Sequence, residues 1–208
     1  KEVAVEKELL IKILELLEGE KLASGILVTN EDEKRVLKSL HLLTMKPIVY
    51  VLNQKSGSKS VDTKEVIEYI KRLGSEYVFG DAGLARDISD RGELNEKERV
   101  EYRVEMGAGE SGVDELIKKS YEALGLITYF TTGEDETRAW TIKKDSTAPT
   151  AGMAIHTDFL DKFIRAEVIS CDELLNAGSY AKAREKGLAR TEGKEYVVQD
   201  GDIIEFKI

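Results

Sequence analysis

Residues 126–143 read LITYFTTGEDETRAWTIK: two runs rich in β-branched and aromatic residues, 126–131 and 137–143, around a turn at Gly133-Glu134-Asp135. That texture predicts two strands joined as a hairpin. Downstream, the pattern predicts a helix over Ala151 to Leu160 and a strand over Phe163 to Ile169. Short helices near Asp172 to Asn176 and Tyr180 to Lys186 lead to a strand at Tyr196 to Val198, and a turn at Asp200-Gly201 feeds a last strand, Ile203 to Ile208.

Two strands, a helix, then further strands with the last one closing the chain is the β-grasp order. Residues 126–208 are enough for such a unit to fold alone. Alternation along its strands marks Trp140, Ile142, Phe163, Val168, Val197, Ile204 and Phe206 as its core.

Upstream the period changes. Ile48-Val49-Tyr50-Val51-Leu52 is a short continuous apolar run followed at once by Asn53, the signature of a strand buried on both faces of a parallel sheet. Asp62 or Thr63 caps a helix carrying Val66, Ile67, Ile70 and Leu73, and a second strand lies around Tyr77-Val78-Phe79. This strand–helix–strand unit has the length of a right-handed parallel crossover. Residues 80–112 are charged and Gly-punctuated, with a helix expected over about 94–106, and 112–124 reads as one more helix. Residues 1–18 place Leu10, Ile13, Leu14 and Leu17 at helical spacing. They form either an amphipathic helix in search of a partner, as in a hairpin or coiled coil, or an ordinary surface helix. A second helix starts after Asn30 and turns Val36, Leu37, Leu40 and Leu43 inward before ending near Met45.

Composition narrows the class. The 208 residues are 41% hydrophobic and 34% charged, with net charge -9, which fits a globular chain and argues against a surface that grips nucleic acid everywhere. A single cysteine, Cys171, and the absence of any long apolar run or signal-peptide start lead to an expectation of a cytoplasmic protein. With two His and one Cys, no His/Cys metal site is expected. His41 and His156 read as structural, and Cys171, beside Asp172 and Glu173, as unreactive.

Several blocks carry a resemblance. Tyr129-Phe130-Thr131-Thr132-Gly133, Arg138 to Lys144 and Ala148-Pro149 are the first. Ile155 to Phe159, Phe163 to Val168 and Gly193 to Asp202 follow in order. Together they resemble the C-terminal part of YchF-type (Obg-like) P-loop ATPases/GTPases, including the TGS domain. The resemblance implies a mixed α/β and α+β chain in three parts. These are a partial helical hairpin or coiled-coil insertion (1–45), the C-terminal half of a P-loop G domain (46–125) and a ubiquitin-like β-grasp TGS domain (126–208).

The resemblance also implies a site. In that family an Asn after a strand, with Glu three residues on, holds the purine, and a second loop of the type Ser-Ala/Gly-x-x-Glu completes the base pocket. The matching positions here are Asn53, Gln54 and Ser56, and then Asp81, Ala82 and Gly83. Ser56 stands where the family has Glu, Asp81 where it has Ser, and Ala85 where it has a second Glu. A hydroxyl cannot replace the charge-assisted pair of a carboxylate. No G-x-x-x-x-G-K-[ST] or D-x-x-G element occurs, so no catalytic residue is expected. ATP or GTP with Mg is implied for a complete parent protein and no cofactor for this chain alone.

A basic face over Lys143, Lys144 and Arg165, with Lys182, Arg184 and Lys186 on the helical segment, is the candidate surface for a ribosome or structured RNA. Three readings stand: a binding module, part of a nucleotide hydrolase, or a folded chain that does neither.

Overall fold

The computed structural model describes residues 2–57, 62–92, 94–107, 112–133 and 136–208. It is a mixed α/β chain that divides into two compact units, Lys1–Ala123 and Leu124–Ile208. The expected turn at Gly133-Glu134-Asp135 lies partly outside the described residues.

In the first unit, α1 (Glu2–Glu18) is followed by a 3-10 turn at Ala23–Gly25 and by α2 (Glu31–Ser39). Asn30 caps α2 by accepting from the Glu33 backbone N–H, and Glu31, Asp32 and Glu33 complement the helix dipole. Leu9, Ile13, Ala23 and Leu37 form a small core there. Two expectations need correction. The buried stripe of α1 is Leu9 and Ile13, while Leu10, Leu14 and Leu17 face outward. Helix α2 stops at Ser39 because His41 takes a left-handed backbone (φ 48°), and Leu43, in a separate 3-10 turn, is 76% exposed.

Strands β1 (Val49–Asn53) and β2 (Glu76–Gly80) pair in parallel across α3 (Lys64–Arg72), as the crossover pattern predicts. Val78 and Ile70 are buried, but Val51 and Phe79 are 47% and 41% exposed. The strand expected to be buried on both faces is therefore only half covered. The described strands β1 and β2 form a two-stranded sheet, and a sheet that narrow leaves edge side chains in contact with water. Helix α4 (Ala82–Asp90) falls inside the segment read only as charged and Gly-punctuated, while α5 (Glu96–Glu105) and α6 (Gly112–Leu124) lie where expected. Lys119 of α6 binds Glu76 of β2 at 3.2 Å.

The second unit is a five-stranded sheet in the order β4-β3-β7-β5-β6. Strands β3 (Leu126–Thr132) and β4 (Thr137–Lys143) form the antiparallel hairpin. β7 (Asp202–Lys207) runs parallel to β3 at the sheet's centre, and β5 (Arg165–Ser170) pairs antiparallel with both β7 and β6 (Arg190–Glu192).

Helical segments accompany both faces. Tyr129, Ile142, Phe163, Ala166, Val168, Val198 and Ile204 cluster with Ala148 and Ala151 of α7 (Ala148–Gly152). Ile169 and Ile203 cluster with Ala177 of α9 (Cys171–Ala177) and Ala183 of α10 (Tyr180–Glu185). The single helix expected over 151–160 is instead α7 and a short α8 (Asp158–Asp161). A Cβ on Gly152 would lie 2.7 Å from Phe159 Cβ, so the chain turns back on itself closely there. Tyr196–Val198 is no strand beyond one bridge between Val197 and Thr147, and Val197 is 37% exposed, leaving its expected core place to Val198 and Tyr129.

Candidate functional site

The strands β1 and β2 end side by side, Asn53 opposite Gly80. Loops at the carboxyl ends of parallel strands are where α/β sheets receive ligands. Here the two loops are bound to each other. Gln54 N donates to Gly80 O at 2.8 Å, and Ala82 N donates to Asn53 Oδ1 at 2.9 Å. Ser56 N donates to Asp81 Oδ2 at 2.6 Å, and Leu84 N donates to Asp81 Oδ1 at 2.9 Å.

Asp81 thus caps α4 with one oxygen and clasps the opposite loop with the other. Its carboxyl is held below the ordinary aspartate range, first by the Ser56 N–H and then by the Leu84 N–H. Gly83 sits in the first turn of α4, where a Cβ would approach Asp81 Oδ1 at 3.3 Å. All six residues selected from the sequence for this site therefore come together.

The chemistry left over is specific. Asn53 Oδ1 accepts from Ala82 N, and its amide Nδ2 group supplies the side chain's donors. Both oxygens of Asp81 accept from backbone donors, Ser56 N–H and Leu84 N–H. Among the described residues no group of three or more His, Cys, Asp or Glu side chains is arranged to hold a metal ion. The clasp of Asp81 on the Ser56 N–H was not among the sequence expectations. The available signal was an Asp one residue before a helix, a cap pattern.

The basic residues of the second unit do not form one cluster. Lys143 lies opposite Leu126, four residues before Phe130, whose partner on β7 is Ile203. Arg165 lies opposite Lys207, four residues beyond Ile203. Eight strand steps put Lys143 and Arg165 roughly 26 Å apart along the sheet. Lys143 Nζ donates to Leu124 O at 2.9 Å, and Lys144 is exposed beside it.

Lys182 of α10 and Lys186 just past its end are exposed, while Arg184 binds Glu167 at 2.6 Å and Glu205 at 3.1 Å. Those two carboxylates face each other across β5 and β7, so Arg184 offsets a local negative pair. His156 accepts from Asp158 N through Nδ1 at 3.2 Å, the structural bond expected of it. No helix among the described residues is long and apolar enough to cross a membrane.

Comparison with known proteins places the chain. Residues 126–208 match the family model YchF-GTPase_C, described as a protein of unknown function (DUF933). The chain is 45% identical over 214 residues to the ribosome-binding ATPase YchF of Bacillus subtilis, covering 100% of this chain and 57% of that protein. It is 36% identical over 209 residues to its counterpart in Pasteurella multocida, covering 100% and 56%. Among solved structures, the Schizosaccharomyces pombe YchF GTPase superposes with a TM-score of 0.81 at 30% identity, over 97% of this chain and 54% of that one. The chain thus spans little more than half the length of these relatives. Similarity along its whole length, in sequence and in fold, shows that the chain belongs to the YchF family and corresponds to its C-terminal part.

Proposed function

We propose that the chain serves as the C-terminal part of a ribosome-associated nucleotide-binding protein of the ATP/GTP hydrolase class, acting in the cytoplasm. Residues 46–125 would contribute the base-binding side of the nucleotide site, and 126–208 would be a TGS β-grasp module that docks on the ribosome. Residues 1–45 would be part of a helical hairpin. The observation that carries this reading is the clasp of Asn53 on Ala82 and Ser56 on Asp81 at the ends of two parallel strands. It joins the loops at the carboxyl ends of two parallel strands, which supports reading a ligand site there.

The relatives are named ribosome-binding ATPases, and the strand order, with first and last strands parallel at the centre, supports the β-grasp assignment. Asn53, Gln54, Ser56, Asp81, Ala82 and Gly83 form the base side. ATP or GTP with Mg then depends on a phosphate cradle that these residues do not provide. Calorimetric titration of this chain with Mg-ATP and Mg-GTP should show no binding; low-micromolar affinity would refute the assignment.

For the docking module, Lys143 and Lys144 at one end of the sheet, Arg165 at the other, and Lys182 of α10 with Lys186 just past its end are the phosphate-facing candidates. Arg184 contributes through Glu167 and Glu205 rather than through RNA. Co-sedimentation with ribosomal particles at about 50 and about 200 mM salt tests this, because phosphate contacts weaken steeply over that interval.

One observation favours a protein partner instead. β4 is an edge strand of seven residues whose Ala139 is exposed, the geometry of strand addition. Binding that ignores salt and survives reversal of Lys143 and Lys144 would decide for that reading.

A further inference from the structure

Helix α5 carries cations that its own carboxylates do not match. Arg99 is half-buried, and its Nε is withdrawn from solvent with no hydrogen-bond acceptor. The Arg99 side chain makes no ion pair among the described residues. Arg103, one turn on, has a side chain only 17% exposed, and its ion pair among the described residues is to Glu96 at 3.5 Å. Guanidinium N–H groups removed from water without an acceptor are costly. Arg99 and Arg103 stand at i and i+4, with Tyr102 at i+3, so the three side chains share one face of the helix. A third guanidinium lies against that face: Arg91, just past α4, stacks on the Tyr102 ring at 4.6 Å from its centroid.

Carboxylates on the same two helices are engaged elsewhere. Asp90 pairs with Arg86 at 3.4 Å and Glu101 with Lys97 at 3.9 Å. Glu98 accepts from Asn95 N at 2.8 Å, closing the capping box of α5. Glu96 is itself 77% exposed, so water screens its pull on Arg103. The face therefore lacks acceptors, and the guanidinium fork names their chemistry: a carboxylate or a phosphate. A single carboxylate brings one negative charge to three cations. A phosphate group brings about two charges and three acceptor oxygens, the better match.

We propose that Arg91, Arg99 and Arg103 form a binding site for a dianionic phosphate group, with Tyr102 as the plate that holds Arg91 in place. Arg91 stands at the opposite end of α4 from Asp81, roughly 14 Å along the helix. The site thus does not depend on reading the Asn53 and Asp81 loops as a nucleotide pocket. Three partly hydrated side chains should hold inorganic phosphate with a midpoint on the order of 1–10 mM, far above the low-micromolar range.

Titration of the intact chain with sodium phosphate at constant ionic strength and about pH 7.5 tests this through the arginine Nε–H resonances. Those of Arg91, Arg99 and Arg103 should shift together and saturate with one midpoint. Acetate, with a single charge, should need about tenfold more. Glycerol phosphate, a monoester without a base, separates the sources of the group. A midpoint below that of inorganic phosphate marks an esterified ligand, and one above it marks free phosphate. Arg99→Lys, which keeps the charge and loses the fork, should raise the phosphate midpoint about fivefold with the backbone amide spectrum otherwise unchanged. Arg91→Gln, at an exposed position, should do the same and serves where Arg99→Lys disturbs the fold. No saturable shift by about 50 mM, acetate binding as tight as phosphate, or a midpoint indifferent to both substitutions overturns the proposal.

Discussion

Ser56 donates its backbone N–H to Asp81 Oδ2 at 2.6 Å, across a sequence separation of 25 residues. This bond ties the loop after β1 to the start of α4, and the carboxylate that makes it also caps that helix. Asp81→Ala should therefore destabilise the first unit by about 1–3 kcal/mol, through the lost cap and a backbone donor left without its acceptor. Asp81→Ser, which keeps a capping oxygen, should cost less. Urea denaturation of the full chain, followed through a label in the first unit, measures the difference. Equal losses for both variants would show that the cap contributes nothing, and a serine variant as stable as the parent would show that the tie to Ser56 contributes nothing.

The same carboxylate gives a pH signature. Its pKa in the folded chain is lowered, chiefly by the Ser56 N–H. Its stabilisation is therefore present above the ordinary aspartate pKa and is lost as pH falls through the folded value. Between about pH 4 and pH 2, Asp81→Asn should lose less stability than the parent chain does. Parallel acid profiles for the two proteins would refute this.

In the second unit Tyr129 is fully buried, its hydroxyl donating to Ala151 O at 3.0 Å. Tyr129→Ala should cost about 3–5 kcal/mol and Tyr129→Phe about 1 kcal/mol. Burial pushes the phenol pKa up from its ordinary value of 10.0. The stability linked to it is thus complete below that value and lost as pH rises above it, and Tyr129→Phe should flatten the alkaline side of the stability profile. Thermal melts of residues 124–208 alone provide the measurement, and a cooperative transition is expected of that segment.

Gly112 opens α6 where a Cβ would lie 2.6 Å from Phe79 O and 2.7 Å from Gly80 Cα. Backbone cannot yield as a flexible side chain does, so Gly112→Ala should force the helix away from β2 at a cost of about 1–3 kcal/mol. A variant as stable as the parent would mean that the contact relaxes without cost. Gly92→Ala, where a Cβ meets nothing within 4 Å, is the control.

Arg184 sits between Glu167 and Glu205. Arg184→Ala leaves two carboxylates facing each other on adjacent strands and should lower the melting temperature, less so in high salt. Ribosome co-sedimentation should fall less for Arg184→Ala than for the Lys143→Glu/Lys144→Glu pair. The reverse order would place Arg184 in the contact itself.

Much of this architecture is determined by local sequence. The caps at Asn30, Asn95 and Ser170 follow from side chains within a few residues of the backbone they satisfy, and the crossover from β1 to β2 and the β3–β4 hairpin from the apolar pattern between turn signals. The six residues of the candidate site were selected because their order along the chain resembles a known pattern, with departures at Ser56 and Asp81. Other features depend on partners distant in sequence. Which stripe of α1 is buried depends on where Ala23 and Leu37 come to lie. The place of Arg165, far from Lys143, follows from β7 pairing parallel to β3 and antiparallel to β5. The clasp of Asp81 on Ser56 and the pairing of Arg184 with two strands likewise join groups that no local period connects. Periodicity says which face of an element is apolar, but only the folded chain decides what covers it.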